Sequence, residues 1–285
     1  MANRSKQLNQ KDKLEPKPLT EEERAEKRRK RIQEYTLMDD LYMSKFFENN
    51  IEGAQLVLRI IMGIEDLEVK NLKVQYEVKN LQGRSVEFDV FATDGNGIMY
   101  DIEVQKADEG AGAKRARFYS SVIDSNTLEP GEDFEILPNT YVIFITENDV
   151  LEGNRPLYKI ERKIDSTNKN FNDGSHIIYV NGTYKGNSPL GKLIKDFKCA
   201  NPNKMCYTIL KERSKQLKGQ LKEEDNMDRV TQAIYNDGVE EGEIIGELKM
   251  LKCYLEAGNS LEDAFNIFKI TDEEQQAKFK SLITV

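Results

Sequence analysis

Two runs of alternating apolar and polar residues flank the turn Asp94-Gly95-Asn96-Gly97, and they constrain the fold more tightly than any other part of the chain. Val86, Phe88, Val90 and Ala92 alternate with Glu87, Asp89 and Phe91; beyond the turn, Ile98, Tyr100, Ile102 and Val104 alternate with Met99, Asp101, Glu103 and Gln105. Period two marks a strand with one face on a core, and a Gly-rich turn between two such runs makes a β-hairpin. Its apolar set faces one way, and Glu87, Asp89, Asp101, Glu103 and Gln105 face the other. The register places Asp89 across from Asp101 or Glu103, with the remaining acid as a diagonal neighbour. Opposed Cβ atoms lie roughly 4.5–5.5 Å apart and diagonal ones about 7–8 Å, so two carboxylates can share one cation. Clustered carboxylates repel unless water or a metal neutralises them, and oxygen-only ligands select magnesium or manganese over zinc. The acidic face is expected to lie open to solvent.

The chain has 285 residues, 32% charged and 38% hydrophobic, which fits one sizeable core with helical additions. No run approaches the roughly 18 apolar residues of a membrane span, and the lysine-rich start has no apolar segment of a secretory signal. A cytoplasmic protein without a membrane partner is expected. Cys199, Cys206 and Cys253 form neither a paired framework nor a C-x-x-C site, and the single histidine, His176, disfavours histidine-dependent nucleophilic catalysis. The formal charge of −8 opposes binding to a polyanion, but Lys27-Arg28-Arg29-Lys30-Arg31 and Lys114-Arg115-Ala116-Arg117 are locally basic. The first block is either a nucleic-acid-contacting arm or a solvated helix face, and the acidic Glu21-Glu22-Glu23 and Glu26 nearby weaken its field.

Residues 1–34 have almost no large apolar side chains and are expected to be disordered or a loose charged helix, removable without unfolding the rest. A core over 35–200 follows. It opens with a short helix led by Asp39-Asp40 and a second helix from Ile51 to about Gly63. Strands are predicted over Val69–Lys79, at the two hairpin arms and over Thr140–Thr146, with a helix over Gly110–Asp124 before the last. The order is α, β, β, β, α, β. Two further strands, Pro156–Arg162 and His176–Val180, and a helix over Pro189–Cys199 complete the core. Residues 201–285 read as a charged helical appendage. Within it, Gly238, Gly242 and Gly246 recur on one helix face at about 1 kcal/mol each, and Ser260 caps a last helix striped by Leu261, Ala264, Phe265 and Phe268.

The hairpin resembles the PD-(D/E)xK nuclease core, with Phe88-Asp89 in the "PD" place and Glu103-Val104-Gln105 in the "(D/E)xK" place. The stretches Arg84–Val90, Tyr100–Gln105, Arg115–Tyr119, Leu128–Phe134 and Tyr141–Ile145 together look like the PD-(D/E)xK nuclease family transposases, also described as recombination-promoting nucleases. The resemblance covers about residues 36–197 and implies a restriction-endonuclease-like α/β core, αβββαβ around a mixed central sheet. It further implies a DNA endonuclease dependent on magnesium or manganese and linked to transposition or recombination. Similar helical tails follow the core in this family, and a homo-oligomer through them is one expectation.

Asp89 and Glu103 are then the catalytic metal ligands, with the Val104 carbonyl as a third by resemblance. Gln105 stands where a lysine normally orients water and stabilises negative charge; it hydrogen-bonds water but carries no charge. This E-x-Q variant is usual in the family. Lys106 points to the other face, leaving Lys114, Arg115 or Arg117 to supply the charge. Asp101 is either an outer acid of the site or a solvent-exposed strand residue, and Asp40 either the additional acid of the superfamily's first helix or a residue favoured by the helix dipole. Lys114, Arg115, Arg117 and Tyr119 are candidates for phosphate contact. The alternative to a nuclease is a catalytically inactive nucleic-acid-binding or assembly protein on the same fold, which the acidic charge and Gln105 favour.

Overall fold

Asp94 shows why the hairpin turns where it does. Its Oδ1 accepts the N–H groups of Asn96 and Ile98, both at 2.9 Å, its Oδ2 accepts the Tyr100 hydroxyl at 3.1 Å, and Gly97 takes φ 79°. A left-handed residue closing an Asx-type turn is cheap for glycine. The hairpin belongs to a computed structural model that describes residues 20–78, 84–106 and 108–223 and part of 248–279.

In chain order the elements are α1 (Glu21–Glu34), α2 (Asp40–Phe47), α3 (Ile51–Met62), β1 (Val69–Val78), β2 (Val86–Asp94), β3 (Met99–Gln105), α4 (Ala113–Ser125), β4 (Thr140–Thr146), β5 (Leu157–Ile160), β6 (Lys163–Ile164), β7 (Lys169–Asn170), β8 (Ser175–Asn181), α5 (Pro189–Phe197), α6 (Thr208–Glu223) and α7 (Leu261–Ile267). The six-stranded sheet runs β1-β2-β3-β4-β8-β5. β1, β2 and β3 are antiparallel, β3-β4-β8 are parallel, and β5 pairs antiparallel to β8. The αβββαβ order and the mixed sheet agree with the sequence. The small β6-β7 ribbon lies between the two further strands and was not predicted.

One sheet face packs on α2, α3, α5 and α6 through Met43, Phe46, Leu58, Ile194, Leu210 and Leu217, which meet Val90, Ile102, Ile143 and Val180. α4 covers the other face through Ala116, Tyr119, Val122 and Ile123, against Phe88, Val142, Phe144 and Tyr179. The acidic face is therefore not open: Asp101 and Glu103 are both 0% exposed. A parallel β3-to-β4 connection must cross over the sheet, and its helix lies on the face that carries the acids.

α6 packs on this core, and the first compact unit runs to Lys222, the second from Glu223 to Val285. In the second unit the Ser260 hydroxyl accepts the Asp263 N–H at 3.1 Å, and Leu251, Ala264, Phe265, Ile270 and Phe279 form a small apolar cluster. Gly238, Gly242 and Gly246 lie outside the described residues, as does much of the region expected to mediate self-association. Among the described residues no helix is long and apolar enough to cross a membrane.

The N-terminal arm, expected to be disordered or a loose charged helix, is helical over Glu21–Glu34, and its last turn meets the core. Ile32 is buried, the Gln33 and Tyr35 carbonyls accept the Lys218 ammonium at 2.9 and 2.7 Å, and the Tyr35 ring stacks on Tyr42 at 6.1 Å. A chain starting at Thr36 should melt about 5–10 °C below the full chain, since each kcal/mol lost is worth about 2–4 °C at this size. Differential scanning calorimetry of the two chains checks this; equal melting would show that α1 contributes nothing.

Candidate active site

The β2-β3 ladder runs only from Val90↔Ile102 to Thr93↔Met99. One level farther from the turn, where Asp89 comes level with Glu103, side chains replace it. The Asp89 N–H donates to Glu103 Oε1 at 3.1 Å, and the Val104 N–H donates to Asp89 Oδ2 at 2.9 Å. Each carboxylate thus takes an amide of the opposite strand. On its other side the Gln105 carbonyl accepts the Glu147 N–H beyond β4 at 2.9 Å. Successive peptide groups of a strand point to opposite sides, so the Val104 carbonyl, like its N–H, is directed toward β2 and the parted strands.

Strict alternation fails at this same level. Val86 and Phe88 lie in the cluster under α4, whereas Val90 and Ala92 lie in the opposite one. β1 changes face with β2: Val74 packs with Val90 and Ala92, Tyr76 with the cluster under α4, and Gln75 between them has φ 50°. A non-glycine residue there costs on the order of 1 kcal/mol and persists only when its surroundings hold it. Here the Gln75 amide donates to Ser44 Oγ at 2.8 Å and to Asp40 Oδ1 at 3.3 Å. Sequence reading missed Gln75, because V-Q-Y fits any strand and no residue type advertises the twist.

Burial dominates the electrostatics. It raises the Asp89 carboxyl to about 8, with the Glu103 charge adding and the Val104 N–H opposing. Burial, then the charges of Glu103 and Asp89, lift Asp101 well above the carboxylate range, and a hydrogen bond from its protonated form to Glu103 adds to this. Glu103 is raised by burial despite the Asp89 N–H and Arg115. A raised folded-state pKa means that the folded state binds protons more tightly than the unfolded chain. The stability it contributes is full below the ordinary value of 3.8 and is lost as pH rises toward about 8. In a chelator, melting temperature should therefore fall across that window, and Asp89→Asn should flatten the fall. A flat wild-type profile would contradict the burial of these acids.

Arg115 is the cation that meets them. Its guanidinium donates to Glu103 Oε2 at 2.8 Å, to Gln105 Oε1 at 3.4 Å and to the Gly110 carbonyl at 2.9 Å, and it lies 4.9 Å from the Tyr119 ring centre. Arg115 and Tyr119, four apart on α4, share a helix face. Lys114 and Arg117 are exposed on other faces. Tyr119 is buried against Phe88 at 5.4 Å, a support for Arg115 rather than an exposed phosphate contact. A Cβ at Gly110 would come within 2.0 Å of Gln105 Oε1, so a side chain there would displace the Gln105 amide from its present place. Lys106 pairs with Asp39, away from the acids, as its strand parity implied. Asp40, exposed at the start of α2, bonds Gln75 and lies near enough for its charge to raise both Asp89 and Glu103.

The donor set suits a hard divalent cation. Two carboxylates meet at the gap toward which the Val104 carbonyl is directed, where the buried Asp101 and Glu103 and the partly buried Asp89 face one guanidinium, an excess of negative charge that an ion would relieve. Among the described residues no three His, Cys, Asp or Glu side chains are grouped to hold an ion alone, so backbone and water must complete the shell. Asp101 is buried beneath this set, which removes the reading of a solvent-exposed strand residue.

Compared with known families, residues 57–264 match the model described as PD-(D/E)XK nuclease family transposase. No curated protein and no solved structure matches the chain significantly.

Proposed function

The chain belongs to the PD-(D/E)XK nuclease family transposases, and from this premise we propose that it is an endonuclease hydrolysing phosphodiester bonds in DNA, with a divalent cation at Asp89, Glu103 and the Val104 carbonyl. The observation that carries the reading is the reciprocal engagement of Asp89 and Glu103 across the parted strands. When bound, magnesium or manganese would polarise the scissile phosphate and lower the pKa of a bound water. Asp89 and Glu103 would then serve as ionised oxygen donors, and ligation would displace the proton that burial favours on Asp89. Gln105 accepts from or donates to the attacking water but cannot take its proton near neutral pH, so that proton passes to solvent. Asp40 holds Gln75 and adds negative charge beside the ligands. Nicking of supercoiled DNA with magnesium or manganese, and silence in chelator, is the expected result. An inert wild type under all metals and DNA forms would sink the reading.

One observation favours a second reading, a nucleic-acid-binding or assembly protein without activity. Both Glu103 oxygens are already engaged, one by Arg115 and one by the Asp89 N–H. Calorimetry separates the two readings: DNA binding without any uptake of magnesium or manganese would favour the binder.

A further inference from the structure

Hydrolysis gives a pentacoordinate phosphate more negative than the diester it came from. A preorganised positive charge beside it is worth about 100-fold or more in rate. The strand position that carries this charge in the E-x-K form of the motif holds the neutral Gln105 here. Lys106 is committed to Asp39, and Lys114 and Arg117 are exposed on other faces of α4. Only Arg115, among these basic residues, reaches the acids. It touches Glu103 Oε2 and Gln105 Oε1 together, and it is steadied by the Gly110 carbonyl and the Tyr119 ring. The side-chain-free Gly110 lets Gln105 lie against this turn.

We infer that the charge of the missing strand lysine has moved to Arg115 on α4, and that Arg115 is a catalytic residue contacting the scissile phosphate. The inference rests on the nuclease reading above. Without substrate the guanidinium neutralises Glu103. Once that carboxylate is committed to the cation, Arg115 is free to donate to a non-bridging phosphate oxygen a short distance away, with Gln105 keeping it in place. In the step it serves, the water oxygen bonds to phosphorus and loses one proton to solvent. The bond from phosphorus to the leaving sugar oxygen breaks, and that oxygen gains a proton from water. No electrons are transferred to or from any other group, and Arg115 keeps its protons throughout, as its high pKa requires.

The test relocates the charge. Wild type, Arg115→Met, Arg115→Lys, Gln105→Lys and the double variant Gln105→Lys/Arg115→Met are compared for cleavage, for manganese binding by calorimetry and for melting temperature. Arg115→Met should bind manganese as tightly as wild type or more so, because Glu103 loses a competing cation, yet cleave about 100-fold or more slowly through kcat. The double variant should regain at least about 10-fold over Arg115→Met, with Gln105→Lys alone as the reference for what the added lysine does when Arg115 is present. Should Arg115→Met prove unstable, Arg115→Lys supplies the comparison, with cleavage reduced but manganese binding kept. Undiminished cleavage by Arg115→Met, or a folded double variant that recovers nothing, overturns the assignment while leaving the nuclease reading intact. A wild type that neither binds manganese nor cleaves overturns both.

Discussion

Asp89→Ala and Glu103→Ala should each lower metal-dependent DNA cleavage on the order of 1,000-fold or more, because each removes one of two charged oxygen donors for a divalent cation. Neither should unfold the protein. Both residues sit in a cluster where burial already disfavours the ionised form, so deleting one relieves repulsion. In Glu103→Ala the Arg115 side chain, 35% exposed, can turn to solvent. Melting temperatures in chelator should match or exceed wild type, while calorimetry should show manganese affinity reduced by about 10–100-fold or more. A Glu103→Ala protein that cleaves like wild type would assign the activity to a contaminant or another site.

The second large effect is on stability. Lys218 is 4% exposed, and its ammonium donates to the carbonyls of Gln33, Tyr35 and Ala200 at 2.9, 2.7 and 2.6 Å. Three donors meet three acceptors. Burial lowers its pKa to about 8, so at neutral pH it still carries all three protons. Lys218→Met keeps the apolar stem and leaves three carbonyls without partners, which should cost about 3–5 kcal/mol. That corresponds to a fall in melting temperature of roughly 8–15 °C. A change within about 1 °C would mean that water replaces the ammonium without penalty.

Much of the hairpin was legible because its information is local. The alternation around Asp94-Gly95-Asn96-Gly97 fixed the turn and left Asp89 opposite Asp101 or Glu103; the pairing of Val90 with Ile102 sets it level with Glu103. The face switch was not legible: Val86, Phe88, Val90 and Ala92 are all apolar, so the run reads as one uninterrupted face although Phe88 and Val90 lie in different clusters. The burial of Asp101 was hidden for another reason. A polar strand face normally reads as solvated, and only the crossover through α4 covers it. Three cations near the motif were equivalent in sequence, and helix phase alone set Arg115 toward the acids. Lys218 was indistinguishable from its neighbours in a lysine-rich helix, since burial of its ammonium depends on carbonyls far away in the chain.

Arg213 shows what such distant pairing means for the order in which the protein is made. Its guanidinium donates to the Lys45, Phe46 and Glu48 carbonyls at the C-terminal end of α2, the last 165 residues earlier in the chain. On the ribosome α2 emerges early, and its terminal carbonyls have no arginine until α6 follows. The clamp on the helix that bears Asp40 is therefore completed only once α6 has been made. A nascent or prematurely ended chain carries Asp89 and Glu103 on their hairpin but lacks the clamp that sets α2 beside them, so full assembly of the site waits for nearly all of the first unit to be translated.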